Sequence, residues 1–309
     1  MTTTDPRSET AERETPPGAE AGLTVVVPVF DEAKAASRLA ARLEGVRSRC
    51  AFPIEFILVD DGSTDGTREV LAGLPEGRFR VIRHSRNRGY GASLKSGVRA
   101  ARYAWVAITD ADETYPDERL PELFQRAVSE ELDMVVGART GTSVRIPLVR
   151  RPPKWLLNKL ANGLSGCDIP DLNSGLRVMR RSLVSPLFRV LPDGFSFTTT
   201  ITLAMLSNGQ RVVFVPIDYH ARAGRSKIRP IRDTLNFLQL ICRTVLWFNP
   251  LRVFIPLSLS LMLCSVAVLV VSKALTGHAM DVTFAVIFMS GVMVLAIGLL
   301  ADLVDKRIG

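Results

Sequence analysis

Two short acidic motifs each come directly after an apolar run of the sequence. Asp60 and Asp61 follow the run IEFILV, and Asp110 and Asp112 follow the run AWVAIT. Two carboxylates spaced by one residue can hold Mg²⁺ or Mn²⁺, because these cations prefer oxygen ligands and bridge them to substrate phosphates. Adjacent carboxylates can instead accept hydrogen bonds from a base and a ribose. The motifs predict a metal site at Asp110 and Asp112 and a nucleotide site at Asp60 and Asp61, with solvated turns as the alternative for both.

A glycine-rich run, NRGYGAS at residues 87–93, opens a predicted helix and has the composition of a phosphate-binding loop. Leu94 stands where the dinucleotide-binding pattern GxGxxG requires its final glycine, and the run does not match the Walker A pattern. We therefore predict no dinucleotide cofactor.

Basic residues concentrate in two later segments. Residues 143–189 hold nine Lys and Arg against two Asp, and residues 220–243 hold six against one Asp. A basic surface of this kind favours anionic lipid headgroups, or a lipid-borne phosphate as a specific ligand. Nucleic-acid binding is not predicted, because the charge lies beside apolar helical segments.

A sheet must position the acidic motifs, because short β-branched runs alternate with helical patterns from residue 23 onward. Continuous apolar strands separated by helices are typical of a mostly parallel sheet covered on both faces, and such sheets bind ligands beyond the carboxyl ends of their strands. The predicted strands are 23–29, 54–60, 79–83, 104–109, 133–138 and 211–217. The predicted helices are 32–49, 66–73, 90–102 and 117–130.

The last sixty residues carry most of the apolar excess behind a mean hydropathy of +0.18. Residues 253–271 and 282–301 contain no charge, so each can cross the roughly 30 Å hydrocarbon core of a membrane as a helix. A pair of buried core helices is the alternative. The short loop between them predicts a helical hairpin over 251–305. Arg243 and Arg252 precede the first charge-free run and Lys306 and Arg307 follow the second, which places both ends of the hairpin in the cytoplasm.

The segments that flank the sheet region differ from it in composition. Residues 1–21 are polar, with five acidic and two basic residues among the first twenty, and predict a disordered tail without a signal peptide. Residues 229–250 separate apolar from polar side chains at helical spacing, which predicts an amphipathic helix at a membrane interface. Packing on the protein's own core is the alternative.

Four cysteines without a CxxC pair predict neither a zinc site nor a disulfide framework.

Seven motifs in order and at matching spacing resemble one family. This family is the polyprenyl-phosphate group of family 2 glycosyltransferases, which is similar to dolichyl-phosphate mannose synthase. The resemblance spans residues 23–228 and extends to the amphipathic helix and the hairpin. The motifs are VPVFDE (27–32), VDDGSTDGT (59–67), NRGYGASLKSG (87–97), TDADETYP (109–116), VVGAR (135–139), DLNSGLR (171–177) and GRSKI (224–228).

The resemblance implies an α/β fold of the GT-A type over residues 22–228 and assigns a role to each matching position. Nucleotide-sugar binding falls to Pro28, Val29, Glu32, Asp60, Asp61, Lys95 and Asp110. The metal ligands are Asp110 and Asp112, and the catalytic set is Asp110, Asp112, Arg139 and Arg177. The acceptor phosphate is bound by Arg139, Arg151, Ser174, Ser226 and Lys227.

Two positions depart from the pattern of this family. Thr114 stands where many members have Gln, which leaves the third metal ligand open. Arg222 lies four residues before Ser226, whereas the corresponding Arg of the family often lies five before, so Arg222 receives no role.

The resemblance implies an inverting transfer of a hexose from a nucleotide diphosphate sugar to a polyprenyl phosphate, with Mg²⁺ or Mn²⁺ as cofactor. It places the enzyme in the cell membrane as a multi-pass protein with its catalytic domain in the cytoplasm, and it is compatible with self-association. One alternative is a family 2 glycosyltransferase with a different membrane or protein acceptor. A non-enzymatic alternative is a membrane-bound nucleotide-sugar sensor. The motifs specify neither the sugar nor the base, nor the pathway that uses the product.

Overall fold

The computed structural model describes residues 22–75, 77–140, 169–219, 250–276 and 281–308. Strands and helices alternate over the described residues from Leu23 to Ala138, as the β-branched runs predict. The strands are β1 (Leu23–Val29), β2 (Ile54–Asp60), β3 (Phe79–Arg83), β4 (Trp105–Ile108), β5 (Met134–Ala138), β6 (Arg177–Arg180) and β7 (Val212–Pro216).

One seven-stranded sheet contains all of these strands, in the order β3-β2-β1-β4-β6-β5-β7. β1 pairs in parallel with β2 and β4, and β5 pairs in parallel with β7. β6 runs antiparallel to both of its neighbours. The predicted fold class, a mostly parallel α/β sheet, is therefore confirmed. β6 was not predicted, because its sequence, RVMR, has only two apolar residues between two arginines and so forms no apolar run.

The helices cover both faces of this sheet. All four predicted helical segments are present, the last as a 3₁₀ turn (Asp117–Arg119) that leads into a helix. The Thr-rich segment FTTTITLAMLS was not predicted as a helix, because Thr and Ile favour strands; burial of residues 197–205 overrides that preference. The helices are α1 (Ala33–Arg47), α2 (Thr67–Ala72), α3 (Tyr90–Ala100), α4 (Leu120–Ser129), α5 (Arg181–Val184) and α6 (Phe197–Ser207).

Alternation along β1 and β2 sends side chains into two cores. On one face Val25 and Val27 pack with Leu39 of α1 and Phe124 of α4. On the other face Val26 and Ile57 pack with Leu94 and Val98 of α3 and with Phe197 of α6. Both faces of these strands are buried, which explains their nearly continuous apolar sequence. The strand ends that carry the acidic motifs are thereby held on a rigid support.

Two long helices, α7 (Leu251–Thr276) and α8 (Asp281–Ile308), pack against each other as a hairpin. Each is long and apolar enough to cross a membrane, and only 11% of the 18-residue apolar stretch of each helix is buried inside the protein. They are therefore not the buried core pair that the sequence left open. Gly298 permits their close approach, because a Cβ atom there would lie 2.4 Å from Cβ of Phe254.

Some predicted segments fall outside the described residues. They are the tail at 1–21 and the amphipathic helix at 229–250, of which Pro250 alone is described. The predicted domain boundaries therefore stay predictions.

Candidate active site

Asp110 and Asp112 lie just beyond the carboxyl end of β4, and both are partly buried. Oδ1 of Asp110 accepts a hydrogen bond from the hydroxyl of Tyr90 at 3.0 Å. The backbone of Gly175 lies against the other oxygen of this carboxylate, since a Cβ atom added at Gly175 would stand 3.0 Å from Oδ2 of Asp110. Burial, and then the charge of Asp112, raise the pKa of Asp110 to about 6. Burial and the neighbouring negative charge both disfavour the ionised form of Asp110. A bound divalent cation would offset both effects, so the pair is suited to hold one.

Thr114 orients Asp112. Its hydroxyl donates to Oδ1 of Asp112 at 2.6 Å, its backbone N–H lies 3.3 Å from the same oxygen, and its side chain is buried. In the described ranges, no three His, Cys, Asp or Glu side chains gather as a metal cluster. A cation held by two carboxylates has room in its shell for substrate phosphates and water, which Mg²⁺ commonly keeps as ligands.

The turns after β1 and β2 are bonded to each other. Asp31 has a φ of +50°, and its Oδ1 accepts the backbone N–H of Thr64 at 2.7 Å. The backbone N–H of Glu32 donates to Oγ1 of Thr67 at 2.9 Å. Asp65 accepts the backbone N–H of Ala33 at 3.1 Å, at the start of α1. These bonds place the predicted nucleotide residues at one edge of the sheet, namely Pro28, Val29, Glu32, Asp60 and Asp61.

Asp60 and Asp61 differ in their surroundings. Oδ1 of Asp60 accepts the backbone N–H of Ser63 at 2.9 Å, and its Oδ2 lies 3.5 Å from Nε of Arg68. The carboxylate of Asp61 faces the glycine-rich run instead. It accepts the backbone N–H of Arg88 at 3.0 Å and that of Gly89 at 2.8 Å.

His84 is the third partner of Asp61. Its Nδ1 lies 2.6 Å from Oδ1 of Asp61, and its Nε2 lies 2.9 Å from Oγ of Ser96 on α3. Because a carboxylate only accepts hydrogen bonds, Nδ1 of His84 is the donor to Asp61. Asp61 therefore joins the end of β2 to the start of α3, in addition to its predicted role at the base or ribose.

Lys95 links α3 to the segment before α6. Its ammonium group donates to the backbone oxygen of Leu191 and, at 2.7 Å, to Oδ1 of Asp193. Gly91 makes this contact feasible, because a Cβ atom there would lie 2.2 Å from the backbone oxygen of Pro192. The structure thus gives Lys95 a bond that holds two segments together, while its role toward the nucleotide sugar stays a prediction.

Arg139 follows β5 and is held by Asp171. Nε and Nη2 of Arg139 donate to the two carboxylate oxygens of Asp171 at 2.7 and 2.9 Å, and its backbone N–H donates at 2.9 Å. The guanidinium also lies over the ring of Tyr219, 5.2 Å from its centroid. The arrangement fixes a basic group at the same sheet edge as Asp110.

Ser174 and Arg177 are both completely buried. The hydroxyl of Ser174 donates to the backbone oxygen of Gly137. The guanidinium of Arg177 donates to the backbone oxygens of Thr198 and Ser174 and to Oγ1 of Thr202. Burial lowers the pKa of Arg177 to about 10. These bonds attach β6 to α6, and the phosphate roles of both residues stay predictions.

The remaining acceptor residues, Arg151, Ser226 and Lys227, lie outside the described residues, as does Arg222. Conversely, the structure adds neighbours of the site to which the sequence assigned no role, because 20 to 75 residues separate each from its partner. These neighbours are Arg42, Tyr90, Asp117 and Asp171.

Comparison with known proteins identifies the family. The family described as "Glycosyl transferase family 2" matches residues 24–188, and the "GtrB C-terminal hairpin" matches residues 249–306. The chain belongs to glycosyltransferase family 2. The matched hairpin, together with the apolar helices α7 and α8, makes it a membrane protein.

Several curated relatives align over most of their length. A dodecaprenyl-phosphate galacturonate synthase of Rhizobium johnstonii is 26% identical over 92% of this chain and 88% of its own. A dolichyl-phosphate hexose transferase of Haloferax volcanii is 32% identical over 67% of this chain and 87% of its own. An undecaprenyl-phosphate 4-deoxy-4-formamido-L-arabinose transferase of Pseudomonas paraeruginosa is 30% identical over 92% and 85%. The resemblance inferred from the motifs is therefore confirmed.

Solved structures confirm the GT-A fold. Glucosyl-3-phosphoglycerate synthase of Mycobacterium tuberculosis, crystallised with Mn²⁺, uridine diphosphate and glucosyl-3-phosphoglycerate, superimposes with a TM-score of 0.51 at 21% identity, over 73% of this chain and 78% of that one. Mannosyl-3-phosphoglycerate synthase of Rubrobacter xylanophilus gives 0.53 at 20% identity, over 72% of each chain.

Proposed function

We propose that this glycosyltransferase moves a hexose from a nucleotide diphosphate sugar to a polyprenyl phosphate and that the reaction depends on Mg²⁺ or Mn²⁺. The carboxylate pair Asp110 and Asp112, set beyond β4 beside the turns of β1 and β2, is the observation that carries the proposal. The curated relatives support the acceptor class, since each is named for a sugar carried on a polyprenyl phosphate.

In the proposed reaction, an oxygen of the acceptor phosphate forms a bond to the anomeric carbon of the sugar. The bond from that carbon to the diphosphate oxygen breaks, its electron pair leaves with the nucleotide diphosphate, and the anomeric configuration inverts. A phosphate monoester is already ionised near neutral pH, so the acceptor needs no general base. The main demand is to stabilise charge on the leaving diphosphate.

Different residues would bind the donor and the acceptor. Asp110 and Asp112 would hold the divalent cation, which supplies charge stabilisation to the leaving group when bound. Arg139, fixed by its two bonds to Asp171, would bind and orient a phosphate through the rest of its guanidinium. The other proposed acceptor contacts are Arg151, Ser174, Ser226 and Lys227, with Arg177 beside them.

The hairpin suits a lipid acceptor. Val253 of α7 packs against a cluster of Ile169, Leu172 and Leu203, so the base of the hairpin touches the sheet domain directly. Anchoring of this kind would keep the active site at the level where a lipid phosphate leaves the membrane. The basic residues on either side of the hairpin favour a cytoplasmic catalytic domain.

A transfer assay tests the proposal. Purified full-length protein is incubated with a polyprenyl phosphate, Mg²⁺ or Mn²⁺, and a panel of radiolabelled nucleotide sugars, and label in the organic phase is counted. We expect label from one donor, and we expect it to require both metal and acceptor. Nucleotide binding without lipid label from any donor would contradict the proposal and favour another acceptor or a sensor.

A further inference from the structure

The loop between β4 and α4 carries the acidic pair and is bonded along its length to α1. Arg38 and Arg42 lie one helical turn apart and face this loop together. Among the described residues, Arg38 bonds the side chain of Glu113 alone, with Nε and Nη2 at 2.7 and 3.0 Å from its carboxylate oxygens. Arg42 reaches deeper into the loop.

Arg42 donates three hydrogen bonds to the loop, and its Nη1 also lies 3.9 Å from Oε1 of Glu113. Its Nε donates to Oδ2 of Asp117 at 2.6 Å, and its Nη2 donates to the backbone oxygen of Asp110 at 3.1 Å. Its Nη1 makes a longer contact, 3.4 Å, with the backbone oxygen of Ala111. Only a planar guanidinium carries donors in a fork that can serve three acceptors at once; a lysine ammonium cannot reproduce it.

Asp117 completes the attachment from inside the protein. Its carboxylate is almost fully buried, and its second oxygen accepts a hydrogen bond from the hydroxyl of Thr109, at the start of the same loop. Arg42 and Asp117 together therefore tie the two ends of the loop to each other and to α1.

The conformation of this loop needs outside support. Glu113 has a φ of +62°, in the left-handed region that a residue other than glycine seldom adopts without support from its surroundings. The contacts of Arg42 supply that support, because they hold the loop both before Glu113, at the backbone of Asp110 and Ala111, and after it, at Asp117.

We propose that Arg42 is a positioning residue that holds the backbone of Asp110 and Ala111, so that the carboxylates of Asp110 and Asp112 face one cation. This inference rests on the proposed function, in which those carboxylates hold the donor's metal. Arg42 would itself touch neither substrate nor cation. A shift of the loop by a fraction of an ångström would separate the two carboxylates from their shared target.

Arg42→Met in the full-length protein, with Arg38→Met as the matched control, tests this inference. Hydrogen–deuterium exchange of peptides covering residues 105–119 reports the order of the loop, and titration of the Mn²⁺ electron paramagnetic resonance signal reports metal affinity. For Arg42→Met we expect faster exchange confined to this loop and at least tenfold weaker Mn²⁺ binding. Arg38→Met should change the affinity by less than twofold, and Arg42→Lys should not restore it.

A double variant separates positioning from simple charge pairing. Arg42→Met alone leaves the buried charge of Asp117 without its partner and risks misfolding, whereas Arg42→Met combined with Asp117→Asn removes that charge. The double variant should regain a wild-type melting temperature and still show a mobile loop. Recovery of both loop protection and Mn²⁺ affinity would overturn the inference.

The two proposals fail in different ways. Unchanged loop exchange or unchanged Mn²⁺ affinity in Arg42→Met overturns the positioning role and leaves the proposed transfer reaction standing. A wild-type protein that transfers no sugar to lipid contradicts the proposed function, whereas loop exchange still reports what Arg42 does.

Discussion

The hydroxyl of Tyr90 donates a hydrogen bond to Oδ1 of Asp110 over a distance of 3.0 Å. This bond joins two motifs that are 20 residues apart in the sequence, the glycine-rich run that opens α3 and the acidic pair after β4. It gives the run a function other than phosphate binding, since its tyrosine fixes one oxygen of a predicted metal ligand. The ring of Tyr90 also stacks on Phe195, with centroids 5.6 Å apart.

Tyr90→Phe should therefore weaken metal binding and leave the fold intact. The phenylalanine ring keeps the contact with Phe195, while Asp110 loses the donor that orients its carboxylate. Loss of such a supporting bond typically weakens metal affinity by about 10–100-fold. Titration with Mn²⁺ checks this effect, and a melting curve serves as the control. Wild-type Mn²⁺ affinity in Tyr90→Phe would show that the hydroxyl does not orient Asp110.

Asp61→Asn should lower stability, because the carboxylate accepts three hydrogen bonds inside the protein. The donors are His84 and the backbone N–H groups of Arg88 and Gly89. An amide offers one acceptor oxygen and turns its own donors toward those groups, so we expect a loss of about 1–3 kcal/mol in the free energy of unfolding. Denaturant unfolding measures it.

Ser63→Ala is the comparison for this variant, since the Ser63 hydroxyl accepts one hydrogen bond within the described part of the chain, from the backbone N–H of Asp31 in a neighbouring turn. It should lower stability less than Asp61→Asn does. If Asp61→Asn weakens nucleotide binding at wild-type stability, then its carboxylate serves the ligand and not the glycine-rich run.

The sequence predicted those parts of the fold in which local pattern and burial agree. β1, β2 and β3 were placed at their observed bounds, because their β-branched runs end at turn residues. β6 and α6 were missed because they exist through tertiary contact. Arg177 pairs the β6 backbone to β4 and anchors α6 with its side chain, and neither contact leaves a periodic trace in the sequence.

The acidic pairs were predicted from the sequence because they follow predicted strands, and ligands bind beyond the carboxyl ends of the strands in a parallel sheet. Their supporting residues were not. Arg42 and Asp117 are 75 residues apart and belong to different helical segments, so only the fold reveals that they meet. A basic residue on an amphipathic helix looks like an ordinary solvated group until its partners are known.

Asp112→Ala should abolish sugar transfer without unfolding the protein. Asp112 is partly exposed within the loop between β4 and α4, and its removal takes from the hydroxyl of Thr114 the carboxylate that accepts its hydrogen bond. The remaining carboxylate of Asp110 cannot hold the cation and diphosphate alone. Lipid-extractable radiolabel measures transfer, and circular dichroism confirms the fold.

Thr114→Val, which removes only the supporting hydroxyl, should retain partial activity. Wild-type turnover by Asp112→Ala with metal present would contradict the metal assignment.

Removal of the hairpin should impair transfer to long acceptors more than to short ones. A chain that ends after Phe254 keeps Val253 in its contact with Leu172 and Leu203 but lacks both membrane helices. A long polyprenyl phosphate lies in a bilayer, so an unanchored enzyme meets it at a far lower effective concentration. A short, water-soluble prenyl phosphate diffuses freely and should be used nearly as well as by the full-length protein. The measurement is the ratio of kcat/KM on the two acceptors for each chain. An equal loss on both would mean that the hairpin supports the active site itself, and that anchoring is not its main contribution.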